Sequence, residues 1–244
     1  MQKAPRITLF QFPGTDDLES VSPFCLKAHR ILRRKGLAYE TEDLFLPNEV
    51  RKVNPVGKLP AITYDGRTVG DSAHIARFLE ARHPDPALFP KDEALRARNV
   101  ILEDWADESL YFMNLYVRWF NPENAERCKR AIFATAPFPV SLIGPRVAPA
   151  AIRRVASAQG TGRKSADTVK AEFNELMAAL DQLCAGDAFL LGSEPYLCDI
   201  AAFSMLRGLA TGLTPDAEAI IASHARLAAW MKRVDEATSE ARKP

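Results

Sequence analysis

Four cysteines in 244 residues (Cys25, Cys128, Cys184 and Cys198) form no C-x-x-C pair. That spacing argues against a zinc site and a disulfide framework, and points to a reducing compartment. No apolar run approaches the ~18 residues a membrane span requires. Met1 to Arg6 lacks the apolar core of a signal peptide, so a cytoplasmic chain with no membrane span is expected. Neither sign of charge dominates: 32 Lys+Arg stand against 31 Asp+Glu. A net +1 gives no reason to expect nucleic acid or an acidic membrane as partner, and runs such as Arg33-Arg34-Lys35 read as solvated helix faces. Of the four histidines, His29 shares a helix face with Cys25 and His74 with Asp71, but neither pair has a third ligand nearby, so no metal site is expected. There is no internal repeat.

What is present is an ordinary globular composition, 47% hydrophobic and 26% charged, long enough for one large domain or two smaller ones. Ile7 to Phe12 reads as a short buried strand. Pro13 to Val21 is a polar loop. Ser22 then stands as an N-cap with Pro23 at the first helical position, and Gly36 stops the helix. Phe24, Ala28 and Ile31 give that helix an apolar face, with Lys27, Arg30 and Arg34 on the other side. Ala38 to Phe45 alternates like a second strand, which makes a βαβ unit with a parallel pair. After a short connection, Leu59 to Tyr64, Asp65-Gly66 and Arg67 to Val69 read as a two-residue-turn hairpin. A helix follows from Ser72. This order is the thioredoxin-like arrangement.

Residues 84–90, rich in proline, read as a linker between a domain over 1–83 and a second over 91–244. Beyond it no strand is expected, so the fold class is α/β thioredoxin-like followed by all-α. Glu93 to about Phe120 forms one long helical stretch. Val169, Phe173, Leu176, Leu180 and Leu183 fit a helix capped by Ser165. Two more helices carry Ile200-Phe203-Leu206 and Leu227-Trp230-Val234. Pro137, Pro139, Pro145 and Pro149 are expected to break the chain between into short pieces. Gly160 to Ser165 lacks the glycine and the preceding strand of a phosphate loop.

The ordered set Ser22-Pro23-Phe24-Cys25, Asn54-Pro55-Val56-Gly57-Lys58-Leu59-Pro60 and Gly70-Asp71-Ser72, followed by a proline linker and helices, resembles the glutathione S-transferase family over nearly the whole chain. Ser22 to Lys27, Gln159 to Ser165, Phe189 to Gly192 and Asp199 resemble its failed-axon-connections and metaxin-like branch more narrowly. Tyr196 departs from the family, which usually has Ser or Thr three residues before the match to Asp199, and Pro13 to Ser20 replaces a shorter loop.

The resemblance implies glutathione as co-substrate. It implies a cis Pro60 that turns Leu59 outward to pair with the cysteinyl part of glutathione. Asp71 would take the γ-glutamyl ammonium, Ser72 and the helix start its carboxylate, and Lys58 the glycyl carboxylate. Each also has a plain structural reading: a proline opening an edge strand, an ordinary N-cap, a solvated lysine. Ser22 occupies the activating position. Half-ionising a thiol of pKa ≈ 8.5 at neutral pH takes roughly 2 kcal/mol. One hydroxyl hydrogen bond to charged sulfur supplies about 1.5–3 kcal/mol and a helix N-terminus up to about 1 kcal/mol. Cys25 reads as a buried helix residue first and a nucleophile second. Trp105, Tyr111, Tyr116 and Trp119 are candidates for an acceptor pocket or for interdomain packing. The implied activity is conjugation of glutathione to a small hydrophobic electrophile by a homodimer. A non-catalytic interaction protein and a Cys25-dependent thiol reductase are the alternatives.

Overall fold

The structure, a computed structural model, describes residues 4–239; Met1–Lys3, where the leading segment begins, and residues 240–244 lie outside the described residues. Strand β1 (Ile7–Gln11) buries alternate side chains and runs parallel to β2 (Glu40–Asp43), with Thr8 opposite Glu40. It is antiparallel to β3 (Ala61–Tyr64), which turns through Asp65-Gly66 into β4 (Arg67–Gly70). The sheet order is β2-β1-β3-β4. β2 is shorter than Ala38–Phe45, and every residue of Glu-Thr-Glu-Asp is exposed at the sheet edge, without the expected alternation. Charge on an edge strand limits pairing with other chains.

Helix α1 (Pro23–Arg34) starts as its sequence dictates: Ser22 is extended at the cap and Pro23 follows. Its inner side chains Ala28, Ile31 and Leu32 pack with Ile7, Leu9 and Ile62 of the sheet and with Ile75 and Leu79 of α3 (Ser72–Arg82). The basic run is not solvated. Arg34 and Lys35 are buried, and Arg33, Arg34 and Lys35 pair with Glu19, Glu194 and Glu80. These partners are distant in sequence, which a local charge pattern does not reveal. The connection after β2 holds α2 (Pro47–Val53), where the Glu49 carboxylate accepts from Leu46 N at 3.0 Å.

His29 sits inside this layer between Tyr39 Oη and Gln11 Oε1, each at 2.6 Å. It turns away from any thiol chemistry. Burial first, then the Arg33 charge, lower its pKa to about 4. The unfolded imidazole titrates near 6.5, so this contribution is complete above that pH and is lost as pH falls toward 4, by about 3 kcal/mol. Thermal unfolding followed from pH 7 to 4 should show that loss, and His29→Gln should flatten it. An unchanged slope in the variant would place the proton uptake elsewhere.

Past residue 90 the described residues are helical: α4 (Glu93–Trp105), a π-helical turn at Ala106–Leu110, then α5 (Tyr111–Trp119) continue one another as the long stretch expected. Helices α6 (Pro122–Phe133) and α7 (Val140–Gln159) follow. The prolines break the chain only in part: Pro137 and Pro139 stand in the turn between α6 and α7, whereas Pro145 and Pro149 lie inside α7. Spaced four apart, they remove hydrogen bonds on one face only, and the rest of the ladder continues. Gly144 lets α6 approach: a Cβ there would stand 2.2 Å from the Phe133 ring.

Helices α8 (Ala166–Leu183), α9 (Leu197–Arg207), α10 (Pro215–Ser223) and α11 (Ala225–Thr238) complete the bundle around Phe173, Phe203 and Trp230. Ser165 caps α8 as expected, its hydroxyl accepting from Thr168 N at 3.1 Å. Helix α9 lies along α1, with Leu197 and Ile200 joining the apolar cluster of the sheet layer.

Candidate functional site

Three segments far apart in sequence meet at the end of the sheet. Pairing of Phe10 with Ala61 brings the Leu59-Pro60 corner level with the end of β1. The Leu59–Pro60 peptide is cis. Asn54 braces the corner, its Nδ2 donating to Lys58 O at 2.8 Å and its Oδ1 accepting from Val56 N at 3.2 Å. Among the described residues, neither backbone polar group of Leu59 has a hydrogen-bond partner. Asp71 N donates to Pro60 O at 3.1 Å, which places the start of α3 beside the corner. Leu59 packs in one cluster with Cys25, one turn into α1. The Leu59-Pro60 corner thus adjoins both the first turn of α1, which Ser22 caps, and the start of α3 at Asp71-Ser72.

Asp71, not Ser72, is the N-cap: its Oδ1 accepts from Ala73 N at 2.9 Å and His74 N at 3.0 Å. Its backbone has φ 75° and ψ 128°, a conformation rarely held by a non-glycine residue. Ser72 is buried at the first helical position, and its hydroxyl makes no hydrogen bond among the described residues. Lys58 is exposed, with its charged end in water.

Ser22 is half-buried, its Oγ accepting a long 3.5 Å bond from Cys25 N. Its own N–H donates to Ser20 Oγ at 3.2 Å, and Ser20 Oγ donates to Phe12 O at 2.6 Å. Cys25 is fully buried, and burial pushes its thiol upward despite hydrogen bonds from Phe12, Ser22 and Ser20, with the Asp43 charge adding to the rise. A buried thiol of raised pKa is a packing residue, not a ready nucleophile. Of the two α1 candidates, the hydroxyl is the accessible one.

The loop before Ser22 is anchored. Glu19 binds Arg30 and Arg33, and Arg207 Nη2 donates to Asp17 O at 2.8 Å. Gly14 is required, because a Cβ there would lie 2.4 Å from Leu18 O. Sequence reading missed Arg118 of α5, which is buried, donates to Val21 O at 2.8 Å, and keeps Nε and Nη2 without partners among the described residues. A contact across 97 residues leaves no local signal. Tyr111 packs on Phe24 with ring centroids 4.7 Å apart, whereas Trp105 and Trp119 belong to packing clusters. Tyr116 stacks on Phe120 and, with Phe173 and Ile220, lines a cavity of about 580 Å³ within the helical part. No residue of the Ser22, Leu59 or Asp71 segments lines that cavity.

A four-stranded thioredoxin-like layer followed by helices, with a serine capping its first helix beside a cis-proline corner, defines the glutathione transferase class of fold. The chain belongs to the glutathione S-transferase family: the family's N-terminal domain matches residues 23–124 and its C-terminal domain residues 148–233. It is similar to Failed axon connections of Drosophila melanogaster, 27% identical over 222 residues, covering 83% of this chain and 50% of that protein. The chain thus spans half the length of that relative. It is also similar to isoprene-epoxide–glutathione S-transferase of Rhodococcus sp. (strain AD45), 27% identical over 209 residues, covering 84% of this chain and 87% of that enzyme. The structure of beta-etherase LigF from Sphingobium sp. strain SYK-6 superposes with a TM-score of 0.65 at 22% identity, covering 94% of each chain. FzlA from C. crescentus gives 0.62 at 20%, covering 94% of this chain and 88% of that one. Both show the fold.

Proposed function

We propose that this chain binds glutathione in the layer over residues 1–83 and conjugates it to a small hydrophobic electrophile held against the helices of 91–244. The convergence of Ser22, Leu59-Pro60 and Asp71-Ser72 carries this reading. Leu59 offers the peptide an unpaired N–H and C=O, so glutathione adds as a further strand. Ser72 and the start of α3 hold the γ-glutamyl carboxylate, Asp71 the ammonium through its second oxygen, and Lys58 the far carboxylate. Ser22 Oγ–H donates to the glutathione sulfur. The proton leaves to solvent, and the thiolate attacks the electrophilic carbon, forming the C–S bond as the carbon's bond to an epoxide oxygen breaks; that oxygen takes its proton from solvent. Arg118, a cation held on the carbonyl just before the cap, adds positive potential at the same helix end. Similarity to the Rhodococcus isoprene-epoxide–glutathione S-transferase supports the reaction class. A cytoplasmic homodimer completes the proposal.

Ser22→Ala should lower kcat/KM for conjugation by about 10- to 100-fold, the equivalent of the lost hydrogen bond to charged sulfur, with glutathione still bound. Cys25→Ala should leave conjugation within a few-fold. Disulfide reduction lost only in the Cys25 variant would support the reductase instead. Failure of the wild type to bind glutathione would leave an interaction protein on a transferase fold.

A further inference from the structure

The net charge of +1 hides a strong asymmetry. Between Glu126 and Asp167 lie forty residues with eight cations and no acid, so the rest of the chain carries −7. This stretch includes most of α6, all of α7 and the turn between them. The cations of α6 pair with Glu123 and Glu126, and Lys164 pairs with Glu172. Those of α7 do not. Arg146, Arg153 and Arg154 are exposed and have no carboxylate partner among the described residues; Arg146 donates to Leu142 O and Arg153 to Trp119 O.

The same helix carries exposed apolar side chains. Of nine large hydrophobic side chains exposed among the described residues, five are here: Phe138, 81% exposed, and Leu142, Ile143, Val147 and Val155, each just over half exposed. Ile143, Val147, Ala151 and Val155 follow at intervals of four, forming one stripe along a 20-residue helix about 30 Å long. Arg153 lies across the helix from it, its guanidinium on Trp119 O, while Arg146 and Arg154 flank the stripe about a quarter-turn round. Their long stems can rest on apolar surface while the guanidinium heads reach outward.

Three occupants could cover such a ridge. A second copy meeting it about a two-fold axis would set Arg146 and Arg154 against the same pair, at a cost in like-charge repulsion. A protein partner would need an acid-lined apolar groove shaped to a convex ridge. An anionic bilayer needs no matching shape: its interface accepts aliphatic side chains a few ångströms deep while phosphates meet the arginines. No helix among the described residues is long and apolar enough to cross a membrane, so the contact is with the surface. We propose that α7 and the Phe138 turn before it dock this protein on an anionic lipid surface. The proposal does not depend on the glutathione reading.

The test is flotation of the full chain with vesicles of phosphatidylcholine alone and of phosphatidylcholine with about a third phosphatidylserine. Binding to the anionic vesicles only, weakened at high salt, is expected. Replacing Arg146 and Arg154 together by glutamine should weaken it roughly 25-fold, at about fivefold per charge. Phe138→Ser with Ile143→Ser should weaken it at unchanged charge. All four side chains are exposed, so circular dichroism should match the wild type. The proposal fails if the wild type ignores anionic vesicles, if it binds neutral ones equally, or if the variants float as well as the wild type. It also fails if the serine variant turns a dimer into a monomer, which would make the stripe a contact between copies.

Discussion

Lys27→Met is expected to destabilise the protein by about 3–5 kcal/mol at pH 7.5, the cost of leaving buried charge unpaired. Lys27 is wholly buried on α1, its Nζ donating to Glu103 at 2.9 Å and to Asp107 at 2.6 Å. Arg77 of α3 binds Glu103 from the other side at 3.3 Å. The cluster joins the helix that carries Ser22 to the helices beyond the linker, with Asp107 placed by the π-helical turn. Asp107 is raised to about 6, mainly by burial, which outweighs the pull of Lys27. A folded pKa above the unfolded value means that this group's contribution is complete below about 4 and lost as pH rises through 6. Without Lys27 the carboxyl rises further, so the variant's deficit should shrink at pH 5, where Asp107 takes a proton. Adding Glu103→Gln and Asp107→Asn should recover much of the loss. Denaturant titration at the two pH values decides it: an equal deficit at both would mean the ion cluster is not the cause.

Asp199→Ala should cost on the order of 4 kcal/mol, because the buried Trp230 indole and two part-buried backbone donors lose their acceptor together. Asp199 Oδ1 accepts from Leu190 N at 2.8 Å and from Trp230 Nε1 at 2.9 Å, and Oδ2 accepts from Tyr196 N at 3.0 Å. One carboxylate thus ties the loop before α9, the start of α9 and the core of α11. Burial raises its pKa against those bonds. Asp199→Asn should lose about half as much, since an amide oxygen can still serve two donors while its NH₂ faces the third. A denaturation midpoint for the alanine variant within 1 kcal/mol of wild type, on the scale of a surface change, would contradict this account.

The same residue shows how legibility varied along the chain. With Tyr196 in place of the usual Ser or Thr, only the aspartate half of the capping arrangement survives. That half does function, through the backbone N–H of Tyr196, but the bond from Trp230 spans 31 positions and has no local mark. The β1 strand, the Ser22 cap, the Asp65-Gly66 hairpin and the Ser165 cap were legible because each is set within a few residues. Helix α6 was missed although Asn121-Pro122 is a start signal; Asn121 Oδ1 accepts from Glu123 N at 2.9 Å. Helix α7 was misread because proline was weighed without the packing of Phe133 on Gly144, which favours a continuous helix. Burial of Arg34 and Lys35 was hidden because their partners, Glu194 and Glu80, lie on other elements. At the site, each candidate residue was named from the resemblance, while their gathering about the Leu59-Pro60 corner and the placing of Arg118 required the fold.

The central claim is that Ser22 and its helix end ionise a bound glutathione thiol. Titration of the ultraviolet thiolate absorbance of glutathione bound to the wild type measures it directly. An apparent pKa about 1.5 units or more below the reference 8.5 is predicted, returning toward that value in Ser22→Ala. A bound thiol that titrates like a free one in the wild type, or an identical shift in the Ser22 variant, would contradict it.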